Sequence, residues 1–244
     1  MKDTLLAWIV GGSRGIGFAC ADALVREGYK IALSGRNEKT LREASARLMA
    51  NSQNFPSVPQ VFPIPCDITQ ETEVNAAYKK IVDHFGAAPD VLINSAGISP
   101  WSTFSETSVE EFDRVMAVNL RGMFLTSRAV LGDMYAWGSG TIVQVLSVAG
   151  IKAYKNGAAY VASKYGAHGL ANTLREEARE HGVRVIGVIP GATETELWDE
   201  DQRKQYHDRM MQPEDVAHAI LAALRLPSRA VVEEIILRPM QGDI

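Results

Sequence analysis

The most constraining feature of this sequence is the alternation of short apolar runs with longer helical patterns. The runs are rich in Val and Ile and mostly apolar on both faces, as strands buried between two helical layers are; they lie at residues 5–10, 31–33, 61–64, 91–93, 142–146, 183–189 and 234–237. Helical periodicity fills the stretches 15–27, 38–50, 71–85, 109–135, 159–181 and 213–224. Repeated β-α units predict an α/β fold, a doubly wound parallel sheet of about seven strands with helices on both faces.

Length and composition fit one domain spanning residues 1–244. Of the 244 residues 46% are hydrophobic, and neither a linker nor a shift in composition divides the chain. Residues 51–60 are polar with two prolines and are predicted to form a surface loop. The only cysteines, Cys20 and Cys66, have neither metal-type nor redox-type spacing. We therefore expect buried thiols and no metal site.

The charge balance and the apolar runs limit the partners. The formal net charge of −4 provides no general attraction to nucleic acid or to anionic membranes. No stretch approaches the roughly 18 apolar residues that span a bilayer. Lys2 and Asp3 precede only a strand-length apolar run, which is not a signal peptide. A cytoplasmic protein without nucleic-acid or membrane partners is expected.

A glycine-rich turn lies between the first apolar run and the first helix. Glycines allow a tight turn and let a phosphate approach the backbone, and a helix N-terminus offers N–H groups and partial positive charge to a pyrophosphate. A glycine cluster at this point of a β-α-β unit predicts a dinucleotide site. The predicted contacts are Gly11, Ser13, Arg14, Gly15, Ile16 and Gly17. Ser13 is also a candidate for the helix N-cap.

Tyr160 and Lys164 are spaced to share one face of a helix. A free phenol has a pKa of about 10, and a nearby ammonium lowers it, so the pair suits proton transfer to a ketone or from an alcohol. A surface Tyr and Lys at this spacing are also common, so the rest of the chain must decide. Ser147 follows the fifth run, at the sheet edge where α/β proteins bind ligands. Asn119 is unfavourable within its helical stretch.

Together these motifs resemble the short-chain dehydrogenase/reductase family. The spacing of Gly11, Gly15 and Gly17 is similar to that family's Thr-Gly-x-x-x-Gly-x-Gly turn, with Val10 in place of Thr. The other matches are Asn94-Ser95-Ala96-Gly97 to its Asn-Asn-Ala-Gly, the 13-residue step from Ser147 to Tyr160, and Pro190-Gly191-Ala192-Thr193-Glu194-Thr195 to its Pro-Gly-x-Val-x-Thr segment. The chain is identified as a member and resembles 3-oxoacyl-acyl-carrier-protein reductase-like members.

The resemblance implies a Rossmann-type fold and a carbonyl reductase mechanism with Asn119, Ser147, Tyr160 and Lys164 as the catalytic residues. In the family's mechanism the Tyr is the general acid and base for hydride transfer between a nicotinamide cofactor and a ketone or aldehyde. By resemblance, Ser147 would hydrogen-bond the reacting oxygen. Lys164 would lower the Tyr160 pKa and bind the nicotinamide ribose, and Asn119 would hold a water that connects Lys164 to solvent.

The end of the second strand indicates which nicotinamide cofactor is used. An acidic residue there binds the ribose hydroxyls of NAD, whereas a basic one accommodates the 2′-phosphate of NADP. The segment Leu33-Ser34-Gly35-Arg36-Asn37 has no acid. Arg36 and Arg14 can grip a phosphate with charge-assisted bonds, and Ser34 and Asn37 can add donors. NADP(H) is therefore predicted rather than NAD(H). The alternative is that both arginines are solvated surface charges without a role in cofactor binding.

Further cofactor contacts follow from the resemblance alone. Asp67 would bind the adenine amino group, with a helix or turn cap as the alternative role. Ile68, the next residue, would also contact the cofactor. Asn94, Ala96 and Gly97 would lie along the adenosine ribose. Pro190, Gly191, Thr193 and Thr195 would hold the nicotinamide carboxamide, although Thr193 stands at an aliphatic position of the family, and Glu194 is expected to be solvated.

The residues that would contact the substrate are the hardest to predict from the sequence. Residues 195–212 are predicted to form a short polar lid, with Trp101, Phe104, Trp198 and Met210-Met211 as candidates for the cleft or for ordinary packing. The stretch 131–138 lacks Lys and Arg, which argues against an acyl-carrier protein as partner, although Arg128, Arg175 and Arg179 remain as contacts. A small carbonyl or alcohol substrate is expected, with 3-oxoacyl-acyl-carrier-protein reductase activity as the alternative.

Two other classes of protein share some of these motifs. Sugar-nucleotide epimerases and dehydratases share the Tyr/Lys pair but usually add a substrate domain and use another glycine spacing. Non-catalytic NADP-sensing proteins commonly lose the Tyr or the Lys, and both are present here. By family resemblance the protein is expected to be a homotetramer or homodimer through its long helices, where small residues would permit close approach: Gly166, Ala167, Gly169, Ala171 and Ala178.

Overall fold

A seven-stranded parallel sheet forms the centre of the computed structural model, which describes residues 4–51 and 60–244. The strand order is β3-β2-β1-β4-β5-β6-β7, with β1 Leu6–Val10, β2 Lys30–Gly35, β3 Val61–Pro65, β4 Val91–Asn94, β5 Gly140–Val145, β6 Val183–Pro190 and β7 Glu234–Leu237. The order reverses between β1 and β4, and in such sheets a crevice opens beyond the carboxyl ends of the strands at that point. The predicted fold is confirmed.

Eight α-helices accompany the described strands: α1 Gly15–Arg26, α2 Glu38–Ala50, α3 Glu71–Phe85, α4 Val109–Met116, α5 Gly122–Trp137, α6 Ala158–Arg179, α7 Glu200–Tyr206 and α8 Pro213–Leu224. The helix predicted over 109–135 is divided, because a π-helical turn at Ala117–Arg121 joins α4 to α5. The loop predicted at 51–60 lies almost wholly outside the described residues.

The two faces of the sheet pack against different helices. Along β1 the side chains alternate, as the pleat requires: Ala7 and Ile9 lie in a core with α1, α2 and α8, whereas Leu6, Trp8 and Val10 lie in a second core with α3, α5 and α6. Both faces of β1 are therefore buried, which explains why its sequence is continuously apolar.

Four of the eight described helices begin at capping side chains, namely α2, α4, α7 and α8. Asn37 and Ser108 accept hydrogen bonds from backbone N–H groups in the first turns of α2 and α4, and such caps contribute about 1 kcal/mol each. Gln212 and Asp215 form a capping box at α8. The N-cap of α1 is Arg14, whose side chain makes no capping hydrogen bond, so the interpretation of Ser13 as the helix cap is wrong.

Three of the small residues predicted to allow close packing between subunits are buried inside the subunit. Ala167 and Ala171 pack in the core with Met123 and Leu146, and Ala178 belongs to the core beneath α5. Gly166 meets the side chain of Leu120. These four residues hold α6 against its own fold, and only Gly169 of the predicted set faces open space.

Residues 4–51 and 60–244 contain neither a membrane-spanning helix nor a metal-binding cluster. No helix in these ranges combines the length and the apolar character needed to cross a bilayer. His, Cys, Asp and Glu side chains there form no group of three or more that could hold a metal ion. Cys20 and Cys66 are buried free thiols, and burial raises the pKa of each to about 12.

Candidate active site

A cleft of about 1000 Å³ runs along the carboxyl edge of the sheet. Its walls come from the glycine turn after β1, the segments after the ends of β2 to β6, the region of α7, and residues 243–244. This is the position that the strand order predicts for a ligand site.

Ser147, Tyr160 and Lys164 all line this cleft. Tyr160 and Lys164 lie one turn apart on α6, and Ser147 stands just beyond β5. The Ser147 hydroxyl oxygen accepts a hydrogen bond from the backbone N–H of Ala149 at 3.1 Å, which leaves its hydrogen to be donated. Lys164 Nζ donates to the carbonyl of Val145 at 3.1 Å and lies 5.8 Å from the Tyr160 ring centroid. One helix and one strand end thus bring the predicted group together.

Burial controls the protonation of this group. It raises the pKa of the Tyr160 phenol, and a hydrogen bond with Ser147 opposes the rise. Burial also lowers the pKa of the Lys164 ammonium to about 8. Desolvation of the phenolate prevails in the Tyr160 pKa and Ser147 is the neighbour that opposes it, so the effect of Lys164 on the Tyr160 pKa stays a prediction. Tyr160 carries its proton at neutral pH, as a proton donor must.

Asn119 lies in the π-helical turn between α4 and α5. Its Oδ1 accepts from the N–H of Ile98 at 2.9 Å, and its Nδ2 donates to the Ile98 carbonyl at 2.9 Å and to Ser163 Oγ at 3.0 Å. The side chain thereby ties the segment after β4 to α6, which carries Tyr160. Asn119 does not line the main cleft; it shares with Lys164 a second cavity of about 10 Å³.

The glycine turn allows two close backbone approaches. Gly11 has φ 79°, and a Cβ there would lie 2.6 Å from the backbone nitrogen of Ala96. A Cβ on Gly17 would lie 2.3 Å from the carbonyl oxygen of Gly11. Gly17 therefore closes the turn without lining the cleft. The other predicted members of the turn do line it, namely Gly11, Ser13, Arg14, Gly15 and Ile16.

Arg14, Arg36 and Asn37 line the cleft as predicted, beside a helical face that sequence reasoning missed. This face of α2 consists of Thr40, Glu43, Ala44 and Arg47. The Arg47 guanidinium stacks over the Phe18 ring, with Cζ 4.3 Å from the ring centroid. The spacing of these four residues in the sequence could have predicted that they share one face of α2, because residues three and four apart lie on the same side of a helix.

Two predicted cofactor residues have side chains engaged elsewhere. Ser34 is fully buried, and its Oγ accepts from the indole Nε1 of Trp8 at 2.8 Å. Asn94 is buried too: its Nδ2 donates to Gln144 Oε1 at 2.9 Å, and its Oδ1 accepts from Thr126 Oγ1 at 2.7 Å. The interpretation of Ser34 as a cleft donor is wrong, and the Asn94 side chain does not line the cleft, because both strand residues face the buried layer beneath the edge of the sheet.

The remaining predicted contacts lie along the cleft. Asp67 Oδ1 accepts from the N–H and the hydroxyl of Thr69, at 2.9 and 2.8 Å, so it forms the turn cap named as the alternative while still lining the cleft. Thr193 Oγ1 donates to the Gly191 carbonyl at 3.0 Å, which leaves backbone groups for a ligand. The other predicted contacts that line the cleft are Ile68, Ala96, Gly97, Pro190, Gly191 and Thr195.

The lid region contains α7 and a 3₁₀ turn at His207–Arg209. Glu194, predicted to be solvated, anchors this region: its Oε2 accepts from Gln212 Nε2 at 2.9 Å and pairs with His207 Nδ1 at 2.7 Å. These contacts, the Gln212 hydrogen bond foremost, lower the Glu194 pKa. These hydrogen bonds lie at the protein surface, so the carboxylate is solvent-accessible as predicted and also ties the lid to the end of β6.

Of the aromatic and methionine candidates, only the two tryptophans belong to the cleft. Trp101 and Trp198 line it. Phe104 is 87% exposed and does not, and Met210 is buried outside it. Sequence reasoning missed Tyr154, Lys155, Asp243 and Ile244, which also line the cleft. No periodicity or motif marks these four residues, because they come from a loop and from the segment after β7.

The sheet order, the glycine turn and the Ser147–Tyr160–Lys164 group define a Rossmann-type α/β protein with a cleft at its topological switch point. A family model described as short chain dehydrogenase matches residues 6–206. The chain belongs to this family of oxidoreductases.

Relatives of several activities resemble the whole chain. It is 36% identical to a sepiapterin reductase of Chlorobaculum tepidum over 252 aligned positions, covering 100% of this chain and 99% of that protein. Among solved structures, an alcohol dehydrogenase of the archaeon Thermococcus sibiricus, complexed with 5-hydroxy-NADP, is 30% identical with a TM-score of 0.88 and 99% of each chain covered. An actinorhodin polyketide ketoreductase with NADPH is 27% identical with a TM-score of 0.88, covering 100% of this chain and 99% of that one.

Proposed function

We propose that the protein is an NADP(H)-dependent oxidoreductase that interconverts a ketone or aldehyde and an alcohol, with Tyr160 as the general acid in reduction. The observation that carries the proposal is the meeting of Ser147, Tyr160 and Lys164 in the cleft that also contains the glycine turn, Arg14 and Arg36. A proton donor and a dinucleotide cradle in one cleft are what hydride transfer to a carbonyl requires.

The cradle fits a nicotinamide dinucleotide phosphate. Gly11 and Gly15 leave the turn without side chains, and the N-terminus of α1 has no side-chain cap from Arg14, so its N–H groups suit a pyrophosphate. Arg14 and Arg36 suit the 2′-phosphate of NADP, and two solved relatives carry NADPH or 5-hydroxy-NADP. When bound, this cofactor supplies or accepts the hydride.

Two hydroxyl groups act on the reacting oxygen. Tyr160 donates its proton to the oxygen as negative charge develops there, and the raised pKa of the phenol keeps that proton available at neutral pH. Ser147 donates a hydrogen bond to the same oxygen, which stabilises charge that appears mainly in the transition state. In alcohol oxidation the same two groups work in reverse.

Lys164 and Asn119 are proposed to return the proton to Tyr160. The small cavity that they share is close to the volume needed by one water. Both amide hydrogens of Asn119 are engaged, but Oδ1 has a second lone pair that can accept from such a water. The Lys164 ammonium, once clear of the Val145 carbonyl, is also proposed to bind the nicotinamide ribose.

A small-molecule substrate is favoured over a carrier-bound one. The stretch before β5 lacks basic residues, and its Asp133 is engaged by the hydroxyl of Tyr78. Arg175, one of the three remaining candidate contacts, is buried inside the fold. We further propose that the protein is a homodimer or homotetramer, with the exposed side chains of Phe112, Phe124 and Tyr165 on the helices of the interface.

The test of this proposal is Tyr160→Phe, with Tyr78→Phe as the matched control. Tyr78 lies outside the cleft, so its variant should retain the wild-type rate of carbonyl reduction. Tyr160→Phe should lower kcat by about 10²–10⁴-fold, because general acid catalysis is worth that much, while NADPH binding measured by nucleotide fluorescence stays unchanged. A Tyr160→Phe variant with a near-normal rate would overturn the assignment.

A further inference from the structure

Residues 238–244 form part of the cleft wall through Asp243. Its Oδ2 accepts hydrogen bonds from Lys152 Nζ at 2.8 Å and from the Tyr154 hydroxyl at 2.9 Å, and it pairs with Arg238 Nη1 at 3.2 Å. The backbone carbonyl of Asp243 accepts from Arg209 at 3.2 Å. The segment after β7 is thereby fixed to the loop before α6 and to the region of the lid.

An aromatic wall leads from this anchor to the proton donor; it consists of Trp101, Tyr154 and Tyr160. The Trp101 and Tyr154 rings meet edge to face, with centroids 6.4 Å apart and an interplanar angle of 87°. The Trp101 and Tyr160 centroids are 5.8 Å apart at 50°. All three residues line the cleft, and both separations lie in the range where aromatic pairs attract.

Trp101 is held in this wall by contacts on two sides. A Cβ on Gly157 would lie 2.8 Å from Cζ3 of the indole, so the ring packs directly on the backbone that begins α6. The indole Nε1 donates to Ser99 Oγ at 2.9 Å. The residue remains 49% exposed, which leaves aromatic surface for a ligand beside Tyr160.

Tyr154 depends on Asp243 for its position. Its hydroxyl has Asp243 as its partner, and the ammonium of Lys152 lies 5.1 Å from its ring centroid. Burial, followed by the hydrogen bond to Asp243, raises the pKa of Tyr154 to about 12, so the ring stays neutral. The contact with Lys152 lowers the pKa of Asp243, so the acceptor stays charged at neutral pH.

We propose that Asp243 is a positioning residue that holds Tyr154 beside Trp101, so that the cleft selects a carbonyl compound whose reacting group is joined to a flat aromatic ring. The inference rests on the proposed function. A ring attached to the carbonyl would pack on the wall while the carbonyl oxygen reaches Tyr160. The Asp243 charge is balanced by Lys152 and Arg238, so the carboxylate supports the wall and need not recognise a substrate charge.

The inference is tested by the kinetics of Asp243→Ala and Tyr154→Ala with acetophenone and with 2-butanone, each reduced by NADPH. Both variants should raise the KM for acetophenone by about five- to tenfold, the equivalent of one aromatic contact. The kcat for acetophenone, the KM for 2-butanone and the affinity for NADPH should change less than about twofold, since neither Tyr154 nor Asp243 touches the reacting atoms. Asp243→Asn, which retains an acceptor for Tyr154, should restore most of the acetophenone KM.

Asp133→Asn is the matched control, because it alters the same kind of tyrosine–carboxylate contact, with Tyr78, outside the cleft. It should leave both KM values unchanged. The double variant Asp243→Ala/Tyr154→Ala should be no worse than Tyr154→Ala alone, as expected when one residue acts through the other.

Three results would overturn the inference. They are additive effects of Asp243→Ala and Tyr154→Ala, equal rises in KM for both ketones, and a wild-type protein whose kcat/KM favours 2-butanone. Thermal unfolding of each variant shows whether it is folded. If Asp243→Ala is misfolded, the KM values of Asp243→Asn are compared with those of Tyr154→Ala and the wild type instead. Failure of the proposed function has a different signature, since the wild type would then reduce neither ketone and the inference would fall with it.

Discussion

Lys164 combines a buried ammonium with a position beside the proton donor. The sequence spacing of Tyr160 and Lys164 suggests two charges in contact. In the structure Lys164 donates to the Val145 carbonyl, and both groups are desolvated. Desolvation disfavours phenolate and ammonium alike, so each group is pushed towards its neutral form. Spacing therefore predicts which residues meet, whereas their protonation depends on burial that spacing does not contain.

The lowered pKa of Lys164 predicts a pH-dependent stability difference. Below the ordinary pKa of 10.5 the unfolded chain binds this proton, but the folded protein binds it only below about 8. The wild type therefore gains stability relative to Lys164→Met as pH rises from about 8 to 10.5 and gains none below 8. The relative change should be about 1–3 kcal/mol.

Urea unfolding of both proteins between pH 7 and 10.5 measures this difference. The titration of groups shared by the two proteins cancels in the difference between their free energies of unfolding. The loss of the hydrogen bond to Val145 does not depend on pH, so it does not contribute to the trend. Lys204→Met, which removes an exposed lysine paired with Glu200, should show no such trend. A constant difference between Lys164→Met and wild type over the whole range would show that Lys164 keeps an ordinary pKa.

Arg36 should decide the preference between the two nicotinamide cofactors. Arg36→Ser removes a charge-assisted contact to the 2′-phosphate, and such bonds are worth about 1.5–3 kcal/mol. The Kd for NADPH should rise by about 10–100-fold, while the Kd for NADH stays the same. Fluorescence titration with both nucleotides measures the ratio.

Arg42→Ser is the control for this titration, because Arg42 pairs with Glu38 on α2 and does not line the cleft. Its Kd values should match those of the wild type. A wild-type protein that binds NADH more tightly than NADPH would contradict the assignment of Arg36 and Arg14.

At the scale of elements, the first β-α turn depends on two glycines for different reasons. Gly11 needs its positive φ and passes beside Ala96, whereas Gly17 sits inside α1 and touches the Gly11 carbonyl. The glycine spacing in the sequence predicts the turn, and the structure adds that the third glycine acts through packing. The sequence is limited in the same way at Asn119, because helical propensities do not indicate that this residue lies in a π-helical turn.

Gly17→Ala should damage the fold and the cofactor site together. The new Cβ would lie 2.3 Å from the Gly11 carbonyl oxygen, so the turn must move. Overpacking of this kind costs about 1–3 kcal/mol, and the displaced turn should also weaken NADPH binding. Urea unfolding and nucleotide titration measure the two effects.

Gly169→Ala is the matched helical control, since nothing lies within 4 Å of a Cβ there. Alanine is favoured over glycine in helices by about 1 kcal/mol, so this variant should be slightly more stable and bind NADPH normally. Equal stability changes of the same sign in the two variants would refute the packing argument for Gly17.

At the scale of the whole molecule, the sequence predicts the framework better than the cleft walls. Strands buried on both faces, such as β1, leave a continuous apolar signature because two helical layers cover them. Residues that reach the cleft from loops, such as Tyr154 and Asp243, leave none, because their partners are distant in sequence. Ser34 shows the converse, a polar residue at the right strand end whose side chain turns into the core.

Arg175 links three elements of the framework and should be essential for stability. It is buried in α6, donates to the carbonyls of Val185 in β6 and Glu233 beside β7, and pairs with Asn172. Arg175→Leu would leave the Val185 carbonyl without this donor, whereas the Glu233 carbonyl keeps a hydrogen bond from the Gly187 N–H at 2.9 Å. A buried unsatisfied group costs about 1–3 kcal/mol. The free energy of unfolding should fall by about 1–3 kcal/mol.

Arg179→Leu tests whether the effect is specific to the buried arginine. Arg179 lies one turn further along α6 but is exposed and pairs with Glu176 and Glu233 at the surface, where ion pairs contribute little. Urea unfolding should therefore show a large loss for Arg175→Leu and little change for Arg179→Leu. Amide exchange should also show faster exchange in β7 of Arg175→Leu, since the edge strand loses its tie to α6. Similar stability for the two variants would mean that the sheet edge is held by β6 alone.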